Sequence, residues 1–191
     1  MFLNLYVSGF ISLDCGQPED ASYPSLETGI NYISDAKFIV DKGVSKSIQP
    51  TKEFSRQELE NVRSFPSGVR NCYKINVTSG TKYLIRASFY YGNYDNLNEP
   101  PQFDLHFGPN VWDTVKLFSN ASYTTIKEII YTPPVDYIQP CLVNTGKGTP
   151  FISAIELRTL NNSPYAPYSP KSALSLFKRC NLGSITDLEY R

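Results

Sequence analysis

Between Cys141 and Leu160 the chain carries its clearest periodic pattern, and that pattern belongs to strands. Two apolar runs flank Asn144-Thr-Gly-Lys-Gly148, a cluster of residues that tolerate positive φ, and Pro150 opens the second run where it withdraws no ladder donor. The stretch is therefore expected to form a β-hairpin. In its second arm Phe151, Ser153, Ile155 and Leu157 point one way and Ile152, Ala154, Glu156 and Arg158 the other, giving a core face and a mixed face.

Other runs repeat the pattern. Phe10-Ile-Ser-Leu-Asp-Cys15 alternates and breaks at Gly16; residues 17–36 read as loop; Lys37-Phe-Ile-Val-Asp41 reads as a short strand. Ser55 followed by Glu58 has the form of a capping box, enough for one helical turn but with no helical period behind it. Cys72–Val77 and Tyr83–Tyr91 are expected to pair as a hairpin around Ser79-Gly80, with Tyr83, Ile85, Ala87, Phe89 and Tyr91 on one face. A long polar and aromatic loop, Gly92–Pro101, separates them from Phe103–Phe107, a turn at Gly108-Pro-Asn110, and Val111–Leu117. Lys127–Tyr131 and Tyr137–Val143 complete the set. About nine antiparallel strands at short spacing, with no long helix, predict an all-β sandwich or jelly roll. Residues 1–8 read as a residual or clipped leader, 9–160 as the sandwich module, 161–171 as a linker with three prolines in ten residues, and 172–191 as an opening strand of something further.

The chain of 191 residues is long enough for one substantial core, and its 18 basic and 18 acidic side chains cancel. With Lys and Arg scattered, nucleic acid is excluded as the main partner, and no run reaches the roughly 20 apolar residues of a membrane helix, so any membrane attachment lies outside this chain. Four cysteines, Cys15, Cys72, Cys141 and Cys180, lack zinc-ligand spacing. They read as two structural disulfides of open pairing, with Cys180 also able to pair beyond the chain. Sequons at Asn76, Asn120 and Asn161 agree with the cysteines on an oxidising, extracellular compartment and mark candidate N-glycosylation sites.

Four blocks in order resemble the malectin-like extracellular domain of plant leucine-rich-repeat receptor-like kinases: Phe10–Gly16, Tyr83–Asp95, Phe103–Gly108 with Trp112–Val115, and Cys141–Arg158. The resemblance implies a malectin-like β-sandwich, jelly-roll-like and similar to galactose-binding domains. Two such modules in tandem would precede leucine-rich repeats, one membrane span and a Ser/Thr kinase, so 172–191 would open the second module. It implies a non-catalytic, extracellular recognition module without cofactor, for cell-wall carbohydrate or for a peptide or partner ectodomain. Malectin binds a diglucose unit through loop aromatics and an Asp; carried over to the loop after Phe89, that site falls on Tyr90, Tyr91, Tyr94 and Asp95. Their chemistry suits a sugar, with ring faces for stacking and a carboxylate for hydroxyls, while strand alternation leaves Tyr91 on the core face with Phe89 and turns Tyr90 away.

Three other motifs yield to plainer readings. Asn144–Thr149 lacks the phosphate-loop spacing and a following helix, and reads as a connector. His106, the single histidine, alternates outward without a partner ligand and reads as a surface residue. Asp14, Asp104, Asp113, Glu128, Asp136 and Glu156 are spread over different strands, so no carboxylate pair suggests glycoside hydrolysis and no metal site emerges. A purely structural spacer, its tyrosines filling the core, is the alternative to recognition.

Overall fold

Period-two burial dominates the chain because apolar residues at alternate positions can be covered only by a second sheet. A computed structural model describes residues 10–48, 56–117, 123–160 and 173–175. Its strands, in chain order, are β1 (Phe10–Asp14), β2 (Ser22–Pro24), β3 (Asn31–Ser34), β4 (Val44–Ser47), β5 (Asn61–Ser64), β6 (Arg70–Cys72), β7 (Ile75–Asn76), β8 (Tyr83–Phe89), β9 (Gln102–Phe107), β10 (Asn110–Lys116), β11 (Thr125–Tyr131), β12 (Tyr137–Ile138), β13 (Pro140–Lys147), β14 (Phe151–Ile152), β15 (Ala154–Thr159) and β16 (Leu174–Ser175). A seven-stranded sheet, β16-β11-β8-β15-β1-β3-β2, and a four-stranded sheet, β10-β9-β13-β6, form the sandwich; β14-β5-β4 and β12-β7 are two smaller sheets.

The all-β sandwich is as expected, but its wiring differs. Cys141–Leu160 is not a hairpin: β13 pairs with β9 and β6, β14 pairs with β5, and β15 runs between β8 and β1. The chain leaves one sheet at Lys147 and enters the other at Ala154, so the apolar run through Phe151–Ile155 is buried on both faces. Likewise Cys72–Val77 does not pair with Tyr83–Tyr91; β6 joins β13, β7 joins β12, and β8 is flanked by β11 and β15. The β9–β10 hairpin around Gly108 forms as read. Residues 17–36 hold β2 and β3, whereas Lys37–Asp41 contributes only a single bridge, Ile39 with Tyr73. One pair, β1 with β3, is parallel. A 3₁₀ turn, Gln57–Leu59, stands near the expected helical turn; Ser55 lies outside the described residues, and the turn shows no side-chain cap.

The core joins Leu13, Ile85, Phe89, Ile155 and Leu157 of the larger sheet to Phe103, Leu105, Val115 and Leu142 of the smaller. Burying such residues contributes roughly 1.5–3 kcal/mol per side chain. The far side of the larger sheet is also covered, and there charge replaces apolar packing. Arg86 donates to Glu128 at 2.8 Å, and Tyr32 and Arg158 donate to Glu156 at 2.6 and 3.1 Å. Asp35, fully buried, accepts from Gly16 N, from Arg63 Nε and Nη2 at 3.0 and 2.7 Å, and from Tyr73 Oη at 2.8 Å. This ion pair ties the loop after β3 to β5 and to the end of β6.

The cysteines divide. Cys72 and Cys141, directly opposite on β6 and β13, form a disulfide. Cys15 is a buried free thiol, raised in pKa first by burial and then by Asp35, so it does not join the two-disulfide arrangement expected from the sequence. Its surroundings are packed core rather than a partner sulfur. Cys180 lies outside the described residues.

Asp14 differs from Asp35 in having no cation. Its Oδ2 accepts from Tyr23 Oη at 2.5 Å and Gln17 Nε2 at 3.0 Å, while the buried Oδ1 has no partner. Burial pushes its pKa up to about 7, against the hydrogen bonds of Tyr23 and Gln17 and with the charges of Asp35 and Glu58. The folded state therefore holds a proton that the unfolded chain has released. Asp14 contributes its stabilisation fully below about pH 4 and loses it as pH rises through about 7, on the order of 4 kcal/mol across the window. In urea titrations from pH 4 to 8, Asp14→Asn should gain stability relative to wild type as pH rises; a constant difference would contradict the buried, cation-free placement.

Candidate functional site

Gly92–Pro101 leaves the end of β8 and returns into β9, and it is built to hold one shape. Asn93, Asn96 and Asn98 take positive φ, which asparagine accepts more readily than most residues. Asn98 N donates to Asn93 Oδ1 at 2.8 Å, Asn93 Nδ2 to Asn98 Oδ1 at 2.9 Å, and Leu97 N to Asp95 Oδ1 at 3.2 Å. These local bonds replace the ladder that the loop lacks.

The four carried-over residues take different places in it. Tyr90 and Tyr91 are in the core, 4% and 3% exposed, so alternation does not turn Tyr90 to solvent. The Tyr90 N–H donates to Ser153 Oγ at 3.0 Å, and the Tyr91 hydroxyl donates to Asp95 Oδ1. Burial, then Asp95, raises the Tyr91 pKa; burial pushes Tyr94 up to about 12, so both phenols keep their protons. Tyr94 is half-buried, with its ring centroid 5.1 Å from that of Phe151, and Asp95 is half-buried. Phe151 also touches Phe89, Tyr91 and Phe103 at centroid distances of 6.3, 6.1 and 6.0 Å. One ring thus links the strand below the loop, the loop, and the strand after it.

Phe151 follows the segment Gly146–Thr149, which forms the opposite wall. Between the walls lies a cleft of about 510 Å³ lined by Asp95, Leu97, Glu99, Pro100, Pro101 and Gln102 on one side and Gly146, Lys147, Gly148 and Thr149 on the other. Its size is that of a ligand pocket. Leu97 is 69% exposed. Carboxylates and prolines stand on one wall and an ammonium on the other, with no aromatic ring among the described residues of the lining. Thr145 Oγ1 donates to Gln102 O at 2.8 Å and so joins the two walls, while Gly146 N donates to Asn144 Oδ1 at 2.8 Å within its own turn. The Gly-Lys-Gly segment is a connector as read, but it is also half of the cleft. Its partner wall lies more than 40 residues earlier, so no local signal could have paired them.

The remaining candidates are each engaged elsewhere. Asp104 accepts from Thr114, Asp113 from Lys127, Asp136 from Ser79 N, Glu128 from Arg86, and Glu156 from Tyr32 and Arg158. No pair of them faces a shared cleft among the described residues. His106 Nδ1 meets Arg70 Nη1 at 3.1 Å, and since guanidinium can only donate, the imidazole accepts and is neutral; burial and Arg70 lower its pKa. No group of three metal-ligating side chains occurs among the described residues. Asn76 is exposed on β7, while Asn120 and Asn161 lie outside the described residues.

Comparison with known proteins decides the family. The model of the malectin-like domain matches residues 13–191. The chain belongs to the malectin-like domain family. It is 52% identical over 180 residues to a probable LRR receptor-like serine/threonine-protein kinase of Arabidopsis thaliana, and 46% identical over 185 residues to the LRR receptor-like serine/threonine-protein kinase IOS1 of the same plant. These alignments cover 93% and 96% of this chain but only 20% of each relative, so the chain spans about a fifth of their length. Among solved structures, the plant receptor-like kinase FER superposes with a TM-score of 0.71 at 22% identity, over 87% of this chain and 46% of that one. The ANX2 ectodomain of Arabidopsis thaliana gives 0.68 at 18%, over 80% and 42%. A complex of the plant peptide RALF23 with FER and LLG2 matches at 0.62 and 22%, over 80% and 40%. The malectin-like domain is a non-catalytic binding module of receptor ectodomains, which are extracellular, and the kinase domains of the relatives lie outside the matched region. No helix among the described residues is long and apolar enough to cross a membrane.

Gly148 carries the cleft's tightest constraint. Its φ is +88°, and a Cβ there would lie 2.7 Å from Pro101 Cβ and 3.1 Å from Pro101 Cα; at Gly146, φ +78°, a Cβ would meet nothing within 4 Å. Gly146→Ala should cost about 1 kcal/mol, the left-handed penalty alone, and Gly148→Ala about 2–4 kcal/mol because Pro101 must move as well. Chemical denaturation of the two variants measures the difference; equal costs would contradict the contact between the walls.

Proposed function

We propose that this malectin-like module recognises an extended polypeptide, a secreted peptide or a segment of a partner ectodomain, in the cleft between Gly92–Pro101 and Gly146–Thr149. The observation that carries this reading is the cleft's lining. Leu97, Pro100 and Pro101 offer apolar contact to a side chain, two glycines leave backbone accessible, and Asp95 and Glu99 face Lys147 across the gap. Such a mixture suits a main chain with alternating side chains. A sugar would gain most from an aromatic platform, and the described residues of the lining include none; of the carried-over residues, Tyr94 and Asp95 are half-buried while Tyr90 and Tyr91 are buried. The complex of RALF23 with FER and LLG2 supports the reading in that a receptor of the same fold is found in an assembly that contains a peptide.

The domain plan follows the same reading. Residues 9–160 are the first module, 161–171 the linker, and 172–191 the opening of a second module, in a receptor anchored to the plasma membrane outside this chain. Leu174–Ser175 pairs with Ile130 and Ile129 on the edge strand β11, which gives the segment after the linker a place to start against the first module.

The test is selection of binders from a random-peptide display library, with a glycan array in parallel. Selected peptides should lose at least tenfold in affinity on Leu97→Asp or Lys147→Glu, both of them exposed residues. Glycan binding that is lost on Tyr94→Ala, without peptide capture, would overturn this reading in favour of a carbohydrate site.

A further inference from the structure

Asn76 begins the sequon Asn76-Val77-Thr78, and its side chain has a defined neighbour. β7 pairs antiparallel with β12, with Asn76 opposite Tyr137 and Ile75 opposite Ile138. Ile75 and Ile138 are buried, at 0% and 2% exposure, so the pleat sends Asn76 and Tyr137 outward together. Directly opposed side chains have Cβ atoms roughly 4.5–5.5 Å apart. Tyr137 is 41% exposed. Lys74, two residues before Asn76 and on the same face, holds its ammonium 5.0 Å from the centroid of the Tyr137 ring. The ring is therefore already braced, and part of its surface is free beside the Asn76 amide.

We propose that Asn76 carries an N-linked glycan whose first N-acetylglucosamine rests on the ring of Tyr137. In the transfer, a bond forms between Asn76 Nδ2 and C1 of the sugar as the bond from C1 to a lipid pyrophosphate breaks; the lipid pyrophosphate leaves and the amide gives up one proton. The C–H face of the pyranose and the acetamido methyl are the apolar parts of that sugar, and a tyrosine ring across the strand pair offers them a flat apolar surface whose placement the Lys74 contact already restrains. The sugar in turn covers the outer face of the short two-stranded sheet, whose inner face carries the buried Ile75 and Ile138. The inference rests on the extracellular placement of the module and is independent of the cleft, since none of these residues lines it.

Protein secreted from plant cells should show Asn76 glycosylated by peptide mass spectrometry. A thermal cycle then isolates the contact: Tyr137→Ala should lower Tm by about 2–4 °C more in the glycosylated protein than in the Asn76→Gln background, while Tyr137→Phe should leave the glycan-dependent part intact. The loss of the Lys74 contact is common to both backgrounds and cancels. Asn76 unmodified while Asn120 or Asn161 carries glycan would overturn the proposal alone. No glycan at any of the three would overturn it together with the secretory placement. Equal Tm losses in the two backgrounds would refute the seating on Tyr137.

Discussion

The packing of Phe151 is the interaction on which the site depends. The ring comes two residues after Thr149, at the point where the chain passes from the four-stranded sheet to the seven-stranded one, and it touches β8 through Phe89, β9 through Phe103, and the loop through Tyr91 and Tyr94. Edge-on and tilted aromatic contacts of this kind add roughly 0.5–1.5 kcal/mol each beyond area burial. More important is their geometry. A crossover between sheets leaves the turn before it free to lie anywhere, and a ring anchored on both sheets removes that freedom. The cleft is the outcome: Gly146–Thr149 is placed against Pro101 because Phe151 cannot move, and Gly92–Pro101 is held because Tyr91 and Tyr94 stack on the same ring.

Around this apolar centre the fold buries unusual amounts of charge, and it handles each group separately. Asp35 has a bidentate guanidinium, a phenol and a backbone amide; Glu128 has Arg86; Glu156 has Tyr32 and Arg158. Such pairs are weak evidence of net stabilisation, because desolvation offsets much of the attraction, but breaking one leaves a costly orphan. They act on specificity of register, since a slip of β8 or β15 by one residue would put Arg86 or Glu156 into the apolar core. Asp14 shows what happens without a cation: the carboxyl keeps its proton instead, and acidity enters the stability of the domain.

Much of this could be read before the fold was seen, and the failures share one cause. Alternation in Phe103–Phe107 and Tyr83–Phe89 identified real strands and their core faces, and the polar and aromatic stretch Gly92–Pro101 was read as a loop, which it is. Two of the three pairings of neighbouring runs were misread, Cys141–Leu160 and Cys72–Tyr91, while the β9–β10 hairpin was not. Cys141–Val143 and Phe151–Leu157 each satisfy the period, but period says nothing about which sheet a strand joins. Burial of Ile152 and Ala154 as well as Phe151 and Ile155 was the available clue, since a run apolar on both faces belongs inside a sandwich and not in a half-exposed hairpin arm. The cysteines were open for the same reason: opposition of Cys72 and Cys141 follows from the pairing of β6 with β13, which is non-local. Tyr90 was turned outward by alternation, yet the strand ends at Phe89, so the period no longer applied.

The common anchoring of both cleft walls on one ring is the central claim, and amide hydrogen exchange followed by mass spectrometry tests it directly in wild type and Phe151→Leu. A shared anchor predicts that the substitution speeds exchange in residues 92–101 and 144–149 together, by about tenfold or more, while the β9–β10 hairpin keeps its protection. Loosening of one wall alone, or no change in either, would contradict it.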